Sequence, residues 1–394
     1  MAAASRRKVM IIAAEASSAH YGAKLIKLWK KQAQNSGPEI EFFGVGTKAM
    51  EDLGLKRIGR AEEMAVVGLV EVVKHFSHLK AIFNQLVEAA KNEKPDFVIL
   101  MDYPDFNLRL AKKLKAMDIK VFYYISPQVW AWRKSRIHDI KAYCEKVFLL
   151  FPFEKTFYDH FKVPNEFVGH PLIEDLDPSF FDQNLIQGHR QKFGIKNNEV
   201  VLALMPGSRF GEIEKNFPIQ IETAKIILRK HKNVRLSICV APTLNREHLL
   251  PYLENFSFPY LLLKDDPNRM ICMADLILVA SGTATLMVGL LEKPMVIMYK
   301  VNWLTGVVGN WLVNIKFFGL INLVLDKEVV PERKQEKAEP RHLAQLLEKY
   351  ITDPVYTKSV IDQLKQTKKS LGYDETDKKT ATEKVVDALN KYLK

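Results

Sequence analysis

Short apolar runs alternate with amphipathic segments along almost the whole chain. This alternation is typical of parallel β-strands covered by helices on both faces, because such strands are buried on two sides and the helices on only one. It therefore favours a doubly wound α/β fold. The pattern predicts strands at 9–13, 41–44, 97–101, 120–124, 146–151 and 166–168 and, after a restart, at 200–205, 234–240, 260–263, 276–279 and 295–298.

The restart follows the acidic, proline-containing stretch 174–178. The chain has 394 residues, whereas single cores stop growing at roughly 250 residues, so length also favours two domains. We place the boundary within 175–184 and expect Rossmann-like domains at 1–178 and 179–345, followed by a helical segment at 346–394. Open parallel sheets bind ligands beyond the carboxyl ends of their strands. We therefore expect the two domains to face a ligand cleft lined by the loops that follow the strands.

Basic residues outnumber acidic ones by 58 to 46, which gives a net charge of +12. Such an excess indicates nucleic acid, an anionic membrane or phosphorylated substrates as partners. The basic residues do not form a recognisable nucleic-acid module, so we expect no nucleic-acid partner. No Cys or His shows metal-ligand spacing, which argues against a metal site. The apolar runs are too short or too polar for a signal peptide or a membrane span, so we expect a cytoplasmic protein.

The loop after the first strand, 13–23, contains Glu15, Ser17 and a single glycine, Gly22. A dinucleotide fingerprint requires several glycines at fixed positions, so a nicotinamide-dependent oxidoreductase is disfavoured. Small residues in this loop allow a ligand to reach the helix N-terminus, where an anion is favoured. For Ser17, a simple N-cap is at least as good an interpretation as a role in binding.

The loop after the strand at 97–101 begins with Asp102. A carboxylate at a strand end beside apolar neighbours is a general-base candidate. The alternative is an aspartate that is hydrogen-bonded to the backbone, which has the same sequence pattern. Asp105 is expected to cap a helix that begins near Phe106.

A third loop, 125–133, combines Trp130, Trp132 and Arg133. Two aromatic rings beside basic groups suit an anionic, partly apolar ligand or a stacked base. Packing of the two tryptophans between domains explains the pattern equally well.

Two loops of the second half are suited to phosphate. After the strand at 200–205, Gly207 allows close backbone approach, Ser208 supplies a hydroxyl and Arg209 supplies a guanidinium fork. The segment 280–285 joins a strand to a helix whose free N–H groups would receive a pyrophosphate. Each loop alone is weak evidence, but together they indicate a nucleotide diphosphate.

The segment 64–86 has an unusually broad apolar surface that basic residues interrupt. Periodicity alone favours a helix buried on two sides. The alternative is a surface for acyl chains or a membrane interface. The residues assigned to that surface are Val66, Val67, Leu69, Val70, Val73 and Phe76.

In their order along the chain, these loops resemble the lipid-A-disaccharide synthase family from about residue 8 to about residue 335. The resemblance is carried by Gly-Val-Gly at 44–46, Glu-Met-Ala-Val-Val-Gly at 63–68, Asp-Tyr-Pro-Asp-Phe-Asn at 102–107, Ser-Pro-Gln-Val-Trp-Ala-Trp-Arg at 126–133, Phe-Pro-Phe-Glu at 151–154, Val-Gly-His-Pro-Leu at 168–172, Pro-Gly-Ser-Arg at 206–209 and Ala-Ser-Gly-Thr-Ala-Thr at 280–285.

The resemblance implies a GT-B glycosyltransferase that is inverting and independent of metal. Such an enzyme transfers 2,3-diacylglucosamine from UDP-2,3-diacylglucosamine to 2,3-diacylglucosamine 1-phosphate and forms the β-1,6-linked disaccharide of lipid A. No cofactor is implied, because the UDP-sugar is a substrate. The implied location is peripheral, on the anionic inner face of the cytoplasmic membrane, and assembly into a homo-oligomer is left open.

The family pattern also implies roles for individual residues. Asp102 becomes the base that deprotonates the acceptor hydroxyl, and Arg209 becomes the group that stabilises departing UDP. The acceptor side is assigned Glu15, Ser17, Trp130 and Arg133. The residues assigned to UDP binding are Gly207, Ser208, Arg209, Ser281, Gly282, Thr283, Ala284, Met287, Asn322 and Glu332.

The chain departs from the family pattern in two places. Ala14, Ser18 and Ala19 stand where the family has Gly, Gly and Asp, and Met287 stands where it has a Glu that accepts hydrogen bonds from the ribose. Two lost ribose hydrogen bonds weaken nucleotide binding by about 1 kcal/mol each. These departures leave an alternative function, that of a paralogue that uses another UDP-sugar or binds nucleotide or lipid without catalysis.

Overall fold

The computed structural model describes residues 7–35, 39–64, 72–131, 133–242, 244–264, 266–300 and 316–393. The chain forms two compact units, each built around one parallel sheet. The first unit comprises Met1–Glu174 together with Leu371–Lys394, and the second comprises Asp175–Ser370.

The first unit contains a seven-stranded sheet. Its strands are β1 (Arg7–Ala13), β2 (Ile40–Gly46), β3 (Leu55–Arg60), β4 (Phe97–Met101), β5 (Val121–Tyr124), β6 (Lys146–Leu149) and β7 (Asn165–Phe167). They are parallel and follow the order β3-β2-β1-β4-β5-β6-β7. The helices between them are α1 (Ala16–Gln34), α2 (Lys48–Asp52), α3 (Ala61–Met64), α4 (Val72–Glu93), α5 (Pro104–Lys115), α6 (Arg136–Tyr143) and α7 (Pro152–His160).

The central strands are apolar because helices cover both faces of the sheet. All of β4 is buried, and so are the last five residues of β1. The edge strand β3 was not predicted from the sequence. It includes Lys56, Arg57 and Arg60, which an edge strand tolerates because one side of it meets solvent.

The second unit contains a six-stranded parallel sheet in the order β10-β9-β8-β11-β12-β13. Its strands are β8 (Val200–Met205), β9 (Val234–Cys239), β10 (Tyr260–Leu263), β11 (Leu276–Ala280), β12 (Met295–Tyr299) and β13 (Glu332–Lys334). Its helices are α8 (Gln183–Lys192), α9 (Phe210–Lys230), α10 (Pro267–Met273), α11 (Ala284–Leu290), α12 (Leu320–Val324), α13 (Pro340–Thr352), α14 (Pro354–Leu364) and α15 (Thr367–Ser370). The expected doubly wound parallel architecture is confirmed in both units.

The C-terminal residues divide between the two units. Helices α13 to α15 belong to the second, where the Tyr350 hydroxyl donates to the carbonyl of Met295 at 3.1 Å. Helix α16 (Ala381–Asn390) belongs to the first, where Trp29 Nε1 donates to Asn390 Oδ1 at 2.8 Å. The sequence pattern had suggested one separate segment at 346–394, because it shows which face of a helix is apolar but not which sheet that face covers.

Candidate functional site

In the first sheet, the chain winds outward from β1 to β3 in one direction and from β4 to β7 in the other. The strand order therefore reverses between β1 and β4, and open α/β sheets bind ligands beyond the carboxyl ends of the strands at such a point. Ala13, at the end of β1, pairs with Met101, at the end of β4. The two loops that carry Glu15 and Asp102 are thus neighbours at this switch point.

The second sheet repeats this arrangement. Its order reverses between β8 and β11, and Met205 at the end of β8 pairs with Val279 of β11. The loops that follow are 206–209 and 281–283, the two segments that the sequence indicated for phosphate. Four of the five loops assigned from the sequence to substrates thus lie at the positions where folds of this class bind ligands, and the fifth, 125–133, follows the neighbouring strand β5.

Glu15 occupies the N-cap of α1 and is linked to Ser18. The Ser18 hydroxyl donates to the Glu15 carbonyl at 2.9 Å, and the Glu15 N–H donates to Ser18 Oγ at 3.2 Å. The N-cap interpretation of Ser17 is therefore wrong, because the helix begins one residue before it, at Ala16. Ser17 is exposed in the first turn, while Ala14 and Ala19 are each 1% exposed.

Asp102 is half-buried and has a left-handed backbone, with φ of 50°. Tyr103, the N-cap of α5, is also left-handed, with φ of 46°. Such residues carry a strain of roughly 1–3 kcal/mol each, and they cluster at functional sites. Burial and then the negative charge of Glu15 raise the pKa of Tyr103, so the two acidic loops also influence each other electrostatically.

Asp105 does not cap a helix. Helix α5 begins at Pro104, one residue earlier than Asp105, which leaves the Asp105 carboxylate for Arg133 Nη1 at 2.9 Å and for Arg136. Arg133, assigned to the acceptor side, is therefore ion-paired in this structure.

Trp130 contacts the carboxylate of Glu154, a residue of the 151–154 motif to which the sequence assigned no role. Its Nε1 donates to Glu154 Oε1 at 3.3 Å, and its ring meets Phe153 edge-on at 5.0 Å. Glu154 is 2% exposed and also accepts from the N–H groups of Leu150 and Phe151, at 3.2 and 3.0 Å. Burial raises the pKa of Glu154 to about 7, even though these three donors act in the opposite direction. A glutamate three residues after the N-cap of a helix is typical of an ordinary capping box, and only the fold reveals its contact with Trp130.

In the second unit, the turn at 206–209 depends on glycine. Gly207 has φ of 128°, and a Cβ there would lie 2.5 Å from Glu212 Oε2. The same carboxylate oxygen accepts from the Ser208 N–H at 2.8 Å. Arg209 is exposed at the N-cap of α9. Burial and then the negative charge of Glu212 raise the pKa of Tyr299, and the positive charge of Arg209 offsets part of this rise. Arg209 and Glu212 therefore both lie near the end of β12.

The loop after β11 leads into α11. Ser281 is anchored, because its N–H donates to the Met298 carbonyl at 2.9 Å and its hydroxyl donates to the Phe318 carbonyl at 3.0 Å. Gly282 and Thr283 are exposed, and Ala284 is half-buried at the start of the helix. This places the first N–H groups of α11 at the switch point, where helix ends leave donors for an anion.

Three other residues assigned to UDP binding are buried or form hydrogen bonds with other groups of the protein. Asn322 is 0% exposed; its Oδ1 accepts from the N–H groups of Val329 and Val330, and its Nδ2 donates to Glu332 Oε1 at 2.5 Å. Glu332 also accepts from the N–H groups of residues 318 and 319. Burial raises the pKa of Glu332, and these donors lower it. Met287 is 7% exposed.

The residues assigned to an acyl or membrane surface lie mostly outside the described part of the chain. This holds for Val66, Val67, Leu69 and Val70, and for the side chains of Val73 and Phe76, whose backbone belongs to α4. Farther along α4, Ile82 and Leu86 are buried in the core of the first unit. The later part of the apolar face is thus a core face, as periodicity alone had favoured.

Among the residues that the structure describes, no helix combines the length and the apolar character needed to cross a membrane. No group of three or more His, Cys, Asp or Glu side chains among them is arranged to hold a metal ion.

Comparison with solved structures shows the same fold. The S. aureus MnaA–UDP co-structure matches with a TM-score of 0.66 at 13% identity, over 98% of this chain and 97% of that one. A UDP-N-acetylglucosamine 2-epimerase matches with a TM-score of 0.61 at 14% identity, over 98% and 97%. A glycosyltransferase from Rickettsia africae matches with a TM-score of 0.58 at 12% identity, over 99% of each chain. The two units thus have the GT-B architecture.

Comparison of sequences shows the family. The chain is 38% identical to lipid-A-disaccharide synthase 1 of Legionella pneumophila over 371 residues, which cover 94% of both proteins. It is 36% identical to lipid-A-disaccharide synthase of Geobacter metallireducens, over 94% of this chain and 95% of that protein. The family model for lipid-A-disaccharide synthetase matches residues 9–386. The chain therefore belongs to the lipid-A-disaccharide synthetase family of UDP-sugar glycosyltransferases.

Proposed function

We propose that the chain transfers 2,3-diacylglucosamine from UDP-2,3-diacylglucosamine to 2,3-diacylglucosamine 1-phosphate, forming a β-1,6-linked disaccharide 1-phosphate and UDP. The observation that carries this proposal is the placement of two acidic loops at one switch point and two phosphate-type loops at the other. Relatives named lipid-A-disaccharide synthase, which match along 94% of the chain, support it.

In this proposal, the first unit binds the acceptor. Asp102 accepts the proton of the acceptor hydroxyl, while the oxygen of that hydroxyl forms the new bond to the anomeric carbon of the donor. A base in this position accelerates the reaction by general-base catalysis. Attack from the face opposite UDP inverts the anomeric centre. Glu15, Ser17 and Trp130 line the acceptor side, and Glu154 holds the indole of Trp130.

The second unit binds UDP. As the anomeric C–O bond breaks, charge develops on the diphosphate, and groups aimed at that charge stabilise the transition state. Arg209, Ser208 and the exposed start of α11 at 282–284 supply these groups. Glu332, held by Asn322, fixes the 318–319 turn on which Ser281 is anchored. All of the proposed charge stabilisation comes from protein groups, without a cofactor.

We further propose that the enzyme binds the anionic inner face of the cytoplasmic membrane through segment 65–76. Its apolar sequence and the net charge of +12 support this, since each basic group near an anionic leaflet contributes about 1 kcal/mol to attachment. Replacing Val66 and Leu69 by Ser is expected to reduce sedimentation with phosphatidylglycerol vesicles while leaving the melting temperature unchanged. Unchanged sedimentation, or a lowered melting temperature, would assign this segment to the core.

Donor selectivity tests the proposed substrate. Purified protein is incubated with the acceptor and, in parallel, with UDP-2,3-diacylglucosamine, UDP-N-acetylglucosamine or UDP-glucose, and the products are identified by mass spectrometry. We expect a product only from the diacylated donor. Preferential use of another UDP-sugar would identify a paralogue with a different substrate, and UDP binding without any product would identify a binding protein.

A further inference from the structure

We propose that Tyr123 and Asn107 are positioning residues for Asp102, and that together they hold the main-chain carbonyl of Asp102 in the conformation needed for catalysis. This inference rests on the proposed function, in which Asp102 is the catalytic base. Neither side chain is assigned a role by the sequence motifs, and they come from different elements, β5 and α5.

The contact between these residues is well defined. The Tyr123 hydroxyl donates to the Asp102 carbonyl oxygen at 2.6 Å. Asn107 Nδ2 donates to the same oxygen at 2.7 Å and to the Met101 carbonyl at 3.2 Å. A carbonyl oxygen has two lone pairs, so these two donors use its full capacity.

Both donors are buried and fixed in position, and the Tyr123 hydroxyl keeps its proton. Tyr123 and Asn107 are each 0% exposed, so close packing fixes their rotamers. Burial raises the pKa of the Tyr123 hydroxyl well above its usual value, and the negative charge of Asp102 raises it further. The phenol therefore remains a hydrogen-bond donor at any pH at which the enzyme works.

The backbone at Asp102 requires such support. Asp102 and Tyr103 are consecutive left-handed residues, and an aspartate tolerates that region better than a tyrosine does. The Asp102 N–H donates to the carbonyl of Ile125 at 3.2 Å, and Ile125 is itself left-handed, with φ of 63°. A β-branched residue in that region is a true outlier. Strained segments of this kind persist only where the surrounding structure over-determines them.

The position of the carboxylate depends on this backbone. If Asp102 relaxed to an ordinary negative φ, its Cα–Cβ bond would turn and the carboxylate would move by ångströms. A misplacement of about 1 Å can lower a rate by about 100-fold. Tyr123 and Asn107 thus act on the reaction through Asp102 and without touching substrate.

The test uses two adjacent tyrosines of β5. Tyr123→Phe removes the hydroxyl from the Asp102 carbonyl and leaves the ring in place. Tyr124→Phe is the matched control, because Tyr124 is also 0% exposed and its hydroxyl has no hydrogen-bond partner among the described residues. We expect Tyr123→Phe to lower kcat by roughly 10- to 100-fold with unchanged KM for both substrates, and Tyr124→Phe to have near-normal kinetics. Asn107→Leu keeps the branching of the side chain but removes both donated hydrogen bonds; it is expected to match Tyr123→Phe and serves if that variant fails to fold.

A double mutant separates positioning from general stability. In the Asp102→Asn background, Tyr123→Phe is expected to lower the residual rate no further, because the group that it positions is already gone. The inference is overturned if Tyr123→Phe behaves like Tyr124→Phe, or if its loss persists in the Asp102→Asn background. A near-normal rate for Asp102→Asn alone would instead remove the base assignment, and this inference with it.

Discussion

Replacing Asp102 by Asn is expected to lower kcat by about 1000-fold, within the range that general-base catalysis supplies. The amide has the shape of the carboxylate but cannot accept the proton of the acceptor hydroxyl. The backbone should tolerate the change, because asparagine is one of the few residues that adopt the left-handed region readily. Its carbonyl also keeps the bonds from Tyr123 and Asn107.

Initial rates measure this effect, and calorimetric titration with UDP provides the control. We expect the dissociation constant for UDP to stay unchanged, since the residues assigned to UDP belong to the second unit. A variant that keeps more than a tenth of the normal rate would exclude Asp102 as the base.

Replacing Arg209 by Ala is expected to lower kcat by about 100- to 1000-fold, the usual effect of removing one group that stabilises developing negative charge. UDP affinity should fall as well, because the guanidinium also attracts the ground-state diphosphate. Arg209→Lys should recover part of the loss, since lysine keeps the charge but not the two-pronged geometry.

Arg229→Ala is the matched control for Arg209→Ala. Arg229 is exposed in the last turn of the same helix, far along α9 from the phosphate loop. We expect it to leave both kcat and UDP affinity unchanged. Equal losses in the two variants would show that Arg209 acts only through the overall charge of the unit.

The sequence was sufficient for the buried strands and for the location of the loops. Strands β4, β8 and β11 are continuous apolar runs, and so are the last five residues of β1. The loops that follow them lie at the switch points because the strand order reverses between β1 and β4 and between β8 and β11. The edge strands β3 and β13 escaped prediction because they are short or polar. Contacts between distant residues were equally hidden, among them those of Tyr123 with Asp102 and of Trp130 with Glu154.

The errors in the loops also have a physical origin. The misassigned caps at Ser17 and Asp105 follow from helices that begin earlier than the motifs suggest. Glu15 fills one N-cap, and a left-handed tyrosine, which sequence patterns do not indicate, fills the other.

The departures from the family pattern have a shared structural character. Ala14, Ala19 and Met287 are all buried, at 1%, 1% and 7% exposure. Ala19 and Met287 stand where the family has carboxylates. At such buried positions an unpaired carboxylate would carry a large desolvation penalty, so these two apolar replacements suit their surroundings in this chain. Glu15 and Asp102 remain as acidic residues of the first switch point, and the proposed activity depends on them.

The most direct test of the transferase assignment is UDP release measured with and without acceptor. Given UDP-2,3-diacylglucosamine and 2,3-diacylglucosamine 1-phosphate together, the protein should release UDP and form disaccharide 1-phosphate in equal amounts. With either substrate missing, it should release no UDP. Release of UDP without acceptor, or none when both substrates are present, would contradict the assignment.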